Sequence, residues 1–227
     1  MDITQIKPNQ KKSIFFAKRQ LAELVYDAVN LEGINYTLPE VQTLLDGITV
    51  GGHKLTDQTI ALNQAEAWKY LFTSIETNKF NLSKEFAFSL HNIAAKEEAL
   101  EWGKFRSGSV TIAGTDYMPP KADQLDGLWG KMIDGSNKIN NIYDRAIYIF
   151  LEMARNQFFY DVNKRMGRFM MNGILLSQGY PAINLPAKRQ LEFNTLMLEF
   201  YASGDHVAMT EFMKSCLSAD IIQAMEE

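Results

Sequence analysis

Apolar residues recur every three or four positions along most of the chain, the spacing that puts them on one face of an α-helix. A first helix runs from about residue 13 to residue 31 and is ended by Gly33. Thr37 and Glu40 form a capping box with Pro39 in the first turn, so another helix starts there. Further helices are predicted over about residues 57–77, 84–98, 122–133, 139–157, 163–178, 187–202 and 206–217. The pattern therefore predicts a mostly α fold.

One segment departs from this helical pattern. Ser109 to Ile112 alternates polar and apolar residues and is bounded by glycines, as in a short β-strand. No repeat, low-complexity tract or linker divides the chain. We predict one compact unit, with N-terminal helices in residues 1–55 and a core in residues 56–227.

Composition is that of an ordinary globular protein of 227 residues with a net charge of −4. The mildly acidic balance and the lack of a basic stripe argue against nucleic-acid binding. No apolar run approaches the roughly 18 residues of a membrane span, and nothing resembles a signal peptide. The single cysteine, Cys216, cannot form an internal disulfide. We therefore expect a cytoplasmic protein that does not bind membranes.

The predicted helix that starts near residue 163 carries cations at its N-terminus, where positive charge is unfavourable. Lys164, Arg165 and Arg168 fall in its first two turns, although a helix N-terminus already has partial positive charge. Exposed backbone N–H groups at a helix start suit a phosphate. The arrangement therefore indicates a site for a negatively charged ligand.

The residues around these cations resemble the signature of Fic (Fido-fold) proteins, His-x-Phe-x-Asp/Glu-Gly-Asn-Gly/Lys-Arg-x-x-Arg. Gln157 stands where that family has its histidine, and Val162 where it usually has glycine. The positions that match the signature are Phe159, Asp161, Asn163, Lys164, Arg165 and Arg168.

Two further regions resemble the same family. Residues 28–37 are similar to the inhibitory helix that some Fic proteins carry before the core, with Glu32 as the inhibitory carboxylate. Residues 103–120 are similar to the target-positioning hairpin, or flap. The resemblance thus extends from about residue 13 to the C-terminus. It implies a Fic-type helical bundle with a small β-hairpin flap, in which residues 1–55 hold the inhibitory motif.

The resemblance also implies a chemistry, the transfer of AMP from ATP to a protein hydroxyl. Asn163, Lys164, Arg165 and Arg168 would bind the nucleotide, since two arginines three apart share a helix face. Asp161 would hold Mg²⁺, a hard cation that suits carboxylate oxygen. A simpler interpretation of Asp161 is a cap at the helix start, and one residue can serve both purposes.

Gln157 puts the transfer in doubt, because a carboxamide has no titratable proton and cannot act as general base. Losing a positioned base typically costs about two to four orders of magnitude in rate. Val162 adds a side chain where the family has glycine, which restricts the backbone around the phosphates. We therefore expect phosphate binding without efficient transfer.

Glu32 and the flap have regulatory and recognition interpretations. Glu32 would pair with Arg168 in competition with a terminal phosphate, although it can equally be a solvated residue beside a helix end. The flap residues Arg106, Val110 and Ile112 would present an edge to an extended segment of a target protein, or merely cover the pocket.

Three functions stay open on the sequence alone. The favoured one is a Fic-like protein that binds Mg²⁺ and ATP but has lost most AMP transfer. The second is an active nucleotidyl- or phosphotransferase acting on a protein hydroxyl. The third is a protein-interaction module with a vestigial pocket. A homo-oligomer is compatible with all three.

Overall fold

The computed structural model describes residues 6–226, and within this range the chain forms eleven α-helices. The N-terminal helices are α1 (Gln10–Arg19), α2 (Leu21–Leu31) and α3 (Leu38–Leu45). The following helices are α4 (Leu55–Glu76), α5 (Lys84–Ala94), α6 (Leu125–Ser136), α7 (Ile142–Asn156), α8 (Asn163–Ser177), α9 (Gln190–Ser203), α10 (Val207–Lys214) and α11 (Ala219–Glu226). The mostly α prediction is confirmed.

Helix α8 forms the centre of the core. Nearly all of its side chains are buried, and α7, α4, α5 and α1 pack around it. Two glycines allow this close approach. A Cβ atom at Gly167 would lie 2.9 Å from the Phe150 carbonyl oxygen of α7, and one at Gly173 would lie 2.2 Å from the Phe80 ring. Since α7 and α8 pack along each other, the short loop between them is fixed at their common end.

The helix boundaries differ from the sequence prediction in three main places, one of which is the helix predicted over residues 84–98, which ends at Ala94. The predicted helix over residues 13–31 is two helices, because Gln20 leaves the helical conformation and ends α1. No glycine or proline marks that break. The predicted helix over residues 206–217 ends at Lys214, and α11 follows it with Ser218 accepting a hydrogen bond from the Ile221 N–H.

The predicted β-hairpin is wrong. No strand occurs between residues 6 and 226, and residues 103–120 form an extended segment with turns. Of their backbone groups, only the Arg106 N–H makes a backbone hydrogen bond, to the Phe158 carbonyl. An isolated two-stranded hairpin is marginal in water, and Pro119 and Pro120 have no N–H to donate. The alternation of residues 109–112 thus reflects one side facing the protein, without strand pairing.

The described helices include none that is both long enough and apolar enough to span a bilayer. The N-terminal helices pack directly on the rest of the chain. Helix α2 contacts α4 and the 3₁₀ turn Ala187–Arg189, and α3 contacts α4. These contacts bring the C-terminal end of α2 to the N-terminal end of α8.

Candidate functional site

The signature loop, residues 157–162, joins α7 to α8 through two left-handed residues. Gln157 has φ 49° and Val162 has φ 65°. Left-handed backbone is unusual for any side chain other than glycine and is strained for a β-branched one. The Asp161 Oδ1 atom accepts a hydrogen bond from the Val162 N–H at 2.7 Å, which stabilises the turn. Val162 therefore occupies a position whose backbone favours glycine.

Asn163 holds the signature loop together. Its Oδ1 accepts from the Phe159 N–H at 2.8 Å, and its Nδ2 donates to the Phe159 carbonyl at 2.8 Å and to Gln157 Oε1 at 3.0 Å. These bonds engage the buried amide of Asn163 within the loop. Asn163 thus shapes the turn from which the first N–H groups of α8 emerge.

The side chain of Gln157 is fixed at both of its polar atoms. Its Nε2 donates to the Ala154 carbonyl at 2.6 Å, while Oε1 accepts from Asn163. The carboxamide therefore has a defined position at the end of α7, half-buried at the edge of an open cleft.

Arg106 does not form the exposed flap edge that the sequence suggested. Its side chain is 2% exposed, and its guanidinium donates to the carbonyls of Gln157 (2.6 Å), Gly108 (2.6 Å) and Pro120 (2.5 Å). A cation is favourable there because α7 ends at this point and leaves carbonyl groups without helical partners. Arg106 fastens the flap to the signature loop.

The three cations at the start of α8 surround one carboxylate. Glu32 Oε1 lies 3.7 Å from Arg168 Nη2 and 3.9 Å from Arg165 Nε, and Glu32 Oε2 lies 3.8 Å from Lys164 Nζ. All three distances exceed that of a hydrogen bond. Charge attraction therefore holds Glu32 there without a specific donor–acceptor contact.

The two helix ends that meet at Glu32 compensate each other. Glu32 caps the C-terminus of α2, where an acidic residue is unfavourable, and Lys164 and Arg165 lie in the first turn of α8, where cations are unfavourable. The partly negative C-terminus of α2, with the carboxylate of Glu32, therefore lies opposite the partly positive N-terminus of α8, with its cations. The unfavourable charges that the sequence showed are thus resolved within the chain.

The charge environment differs between the members of this group. Burial by itself would raise the pKa of Glu32, but Arg165, Lys164 and Arg168 hold it below the ordinary value. Burial lowers the pKa of Arg168 to about 10 despite Glu32 and Asp27. Within the described residues the buried Arg168 Nη2 atom has no hydrogen-bond partner. Arg168 therefore has a buried N–H donor that is free to bind an acceptor.

Arg165, in contrast, has a partner that the sequence did not reveal. Its Nη1 donates to Glu98 Oε2 at 2.9 Å, and its Nη2 donates to Glu98 Oε1. Burial lowers the pKa of Arg165, and the bonds to Glu98 with the charge of Glu32 raise it overall. Glu98 follows α5 in the chain, 67 residues before Arg165. No local spacing could have identified the pair.

Backbone donors complete the arrangement. Among the described residues, the N–H groups of Asn163, Lys164 and Arg165 take part in no hydrogen bond. Such unpaired N–H groups at a helix start form an anion-binding concavity.

An open cleft of about 440 Å³ runs along this end of α8. It collects five of the residues predicted from the sequence, namely Glu32, Ile112, Gln157, Asp161 and Lys164. Val110 is half-buried in the flap and does not line the cleft, and neither do Asn163, Arg165 and Arg168. The two arginines line a smaller cavity beside it. One wall was missed, because it comes from α9 and consists of Asn194, Met197, Leu198 and Tyr201. The only sequence signal for this wall is that α9 carries more apolar residues than one buried face requires.

His91 lies beneath the signature loop and is fully buried. Its ring stacks on Phe159 with centroids 3.9 Å apart. Its Nδ1 accepts from the Gly103 N–H at 3.0 Å, so Nε2 carries the proton and donates to the Asp161 carbonyl at 3.3 Å. Both ring nitrogens are thus engaged with backbone groups.

Acidification is expected to destabilise the fold through His91. Burial, assisted by the charge of Arg165, lowers the pKa of His91 to about 4 from an ordinary 6.5, although the bond to Asp161 opposes this. Because the folded chain binds this proton less readily, the stabilisation is complete above about pH 6.5 and is lost as the pH falls toward 4. The loss amounts to about 3 kcal/mol. Urea unfolding at pH 7, 5.5 and 4.5 should show that native protein loses about this much more stability than His91→Gln, and equal losses would contradict it.

A family model described as the Fic/DOC family matches residues 81–175, which include His91, the flap and the signature loop. Relatives named protein adenylyltransferase Fic come from several Drosophila species. The protein from Drosophila persimilis is 24% identical over 199 residues, covering 85% of this chain and 38% of its own length. The Drosophila willistoni protein is 24% identical over 201 residues, covering 85% and 39%. This chain spans less than half the length of these relatives.

Solved structures share the architecture. A Fic-domain-containing signaling protein from Bacteroides thetaiotaomicron superimposes with a TM-score of 0.78 at 17% identity, covering 98% of this chain and 91% of that one. Fic-1 (residues 134–508) from C. elegans gives a TM-score of 0.78 at 17% identity, covering 92% and 64%. At these identities the likeness establishes the fold. The family model adds that the segment over residues 81–175 is similar to the Fic/DOC family.

Proposed function

We propose that the cleft at the start of α8 binds the phosphates of ATP together with Mg²⁺, and that Glu32 competes with the terminal phosphate. The observation that carries the proposal is the position of Glu32, whose carboxylate faces three cations at 3.7–3.9 Å without a hydrogen bond to any of them. A phosphate has more charge and more acceptor atoms than a carboxylate, and it would satisfy donors that Glu32 leaves free.

The phosphates would be held by the free N–H groups of residues 163–165, by Lys164, and by the unpaired donors of Arg165 and Arg168. Orphaned buried nitrogens support this assignment, since Arg165 Nε and Arg168 Nη2 have no partner within the described residues. The α9 wall, with Met197, Leu198 and Tyr201, offers an apolar surface for the base of a nucleotide.

Asp161 fits a magnesium ion held jointly by protein and ligand. Its carboxylate is exposed on the cleft, and Oδ1 already accepts from the Val162 N–H. The described residues contain no cluster of three acidic, histidine or cysteine side chains. Mg²⁺ in nucleotide sites commonly uses one or two carboxylates plus phosphate oxygens, so Asp161 alone suffices as protein ligand.

We further propose that AMP transfer to a protein hydroxyl, the reaction named for the Drosophila relatives, is strongly reduced in this chain. Transfer needs a base to remove the hydroxyl proton, and Gln157 cannot supply one. His91 is buried and its ring nitrogens are engaged with Gly103 and Asp161. The protein would therefore act chiefly by binding nucleotide.

A target protein would lie along the flap. Between Ser109 and Ala113 no backbone group makes a backbone hydrogen bond within the described residues, and Thr111 to Ala113 line the cleft. An extended target segment could pair with this free edge and bring a side chain to the cleft. Arg106 would hold the edge in place from behind.

Replacing Glu32 with alanine is expected to raise the affinity for Mg²⁺-ATP. Removal of the competing carboxylate should lower the Kd about 5- to 150-fold, the factor that corresponds to an interaction of about 1–3 kcal/mol. Isothermal titration calorimetry of native protein and Glu32→Ala measures the change directly.

The control variant removes the same negative charge from another residue of the same helix. Glu23 is exposed on α2 and lies outside the cleft, so Glu23→Ala should leave the Kd unaltered. Equal affinities of native protein and Glu32→Ala, or equal gains in the two variants, would refute competition by Glu32.

A further inference from the structure

The contact between Glu98 and Arg165 is the strongest ion pair of the site. Arg165 is 3% exposed, and both of its terminal nitrogens donate to Glu98. A two-bond contact between guanidinium and carboxylate fixes the plane of the guanidinium as well as its position. Glu98 therefore determines the direction in which the remaining donors of Arg165 point.

The segment that carries Glu98 is itself well anchored. Glu97 adopts a left-handed conformation with φ 64°, which turns the chain after α5. The N–H groups of Glu98 and Ala99 both donate to the Ala95 carbonyl, and Asn63 Nδ2 of α4 donates to the Lys96 carbonyl at 2.8 Å. Glu98 is thus presented to Arg165 from a turn tied to two helices.

With its terminal edge occupied, Arg165 directs its Nε edge toward Glu32, which lines the cleft, while Arg165 itself lines a small neighbouring cavity. The Nε atom is buried and unpaired within the described residues, and it lies 3.9 Å from Glu32 Oε1. Nε and the second hydrogen of Nη2 form a pair of donors suited to two oxygens of one phosphate. This edge faces the carboxylate of Glu32.

We infer that Glu98 is a positioning residue for phosphate binding, orienting Arg165 so that its Nε edge faces the ligand. The inference rests on the proposed nucleotide binding. It goes further in assigning a role to a residue outside the signature, and it predicts that removing this acidic side chain weakens the binding of an anion. Simple electrostatics predicts the opposite, because loss of a negative charge makes the site more positive.

The test titrates ATP and adenosine into variants that all carry Glu32→Ala. Glu98→Gln should lower the affinity for Mg²⁺-ATP about tenfold, because Arg165 is no longer held in a plane that matches the phosphate. The affinity for adenosine, which has no phosphate, should not change. If Glu98 contributed only to folding, Glu98→Gln would lower the affinities for ATP and for adenosine alike.

A matched control removes the same charge from the adjacent residue. Glu97 is exposed and makes no contact with Arg165, so Glu97→Gln should leave ATP affinity within about twofold. Because Glu98→Gln leaves a buried guanidinium unpaired, titrations are run where circular dichroism shows folded protein. Should Glu98→Gln not fold, Glu98→Asp retains the charge and should give a smaller loss of ATP affinity by shifting Arg165.

The outcomes separate this inference from the proposed function. ATP affinity that is unchanged or raised in Glu98→Gln would overturn the positioning role and make Glu98 a second competitor of the phosphates. The absence of ATP binding in Glu32→Ala with Glu98 intact would refute the proposed function, and this inference with it.

Discussion

Gln157→His is expected to raise the rate of AMP transfer by about two to four orders of magnitude, the usual contribution of a positioned general base. The surroundings of Gln157 are compatible with an imidazole. The Ala154 carbonyl, which accepts from Gln157 Nε2, can accept from one ring N–H and leave the other ring nitrogen to act as base, and Arg106 holds the backbone of residue 157. Introduced together with Glu32→Ala, the change supplies the base and clears the phosphate position at once.

Incorporation of label from α-labelled ATP into the protein itself and into lysate proteins measures this gain. Gln157→Asn in the same background is the matched control, since it alters the side chain without adding a base. Activity of the native protein as high as that of Gln157→His would contradict the account of the missing base.

A substitution at Val162 extends the same experiment. Its left-handed backbone, with φ 65°, favours glycine and bears strain with a β-branched side chain. If Gln157→His is inactive and becomes active on addition of Val162→Gly, the defect lies in the phosphate cradle as well as in the base. If both are inactive although ATP binds, the proposed cause of the reduced transfer is wrong.

The second large effect concerns Arg168, whose replacement is expected to weaken ATP binding without lowering the stability of the fold. Arg168→Met should reduce ATP affinity about 10- to 100-fold by removing a charged hydrogen bond to phosphate. The free protein should be as stable as the native one or more stable. Arg168 is buried, its Nη2 is unpaired within the described residues, and burial lowers its pKa to about 10. Replacing a poorly compensated buried charge with an apolar side chain of similar volume is often neutral or stabilising.

Arg165→Met is the informative control, because it should have the opposite effect on stability. It leaves the carboxylate of Glu98 without its two donors, and breaking such a buried pair typically costs about 3–5 kcal/mol. Urea unfolding of the two variants, with and without ATP, gives both quantities. Equal destabilisation by Arg165→Met and Arg168→Met would contradict the assigned difference between the two arginines.

The sequence predicted those parts of the site that lie close together in the chain. Residues 157–168 form one loop and one helix start, so their spacing determines their arrangement. The helical periodicity likewise predicted most of the bundle, apart from the break at Gln20, the end of α5 at Ala94 and the helix after Ser218.

The parts that were missed depend on tertiary contacts. The sequence predicted Arg106 to be an exposed residue of the flap. In the structure it is buried against carbonyl groups at the end of α7. Glu98 lies far from Arg165 in sequence, and the α9 wall is recognisable only after α9 has packed beside the flap. The strand signal at residues 109–112 was misleading, because alternation reports burial of one side and carries no information about a pairing partner.

The most direct test of the central claim is a crystal structure of Glu32→Ala with Mg²⁺ and a non-hydrolysable ATP analogue. The account predicts the terminal phosphate where the Glu32 carboxylate lies, with oxygens about 3 Å from Arg168 Nη2 and Arg165 Nε. A structure in which the analogue is bound elsewhere, or in which those two nitrogens face no phosphate oxygen, would contradict it.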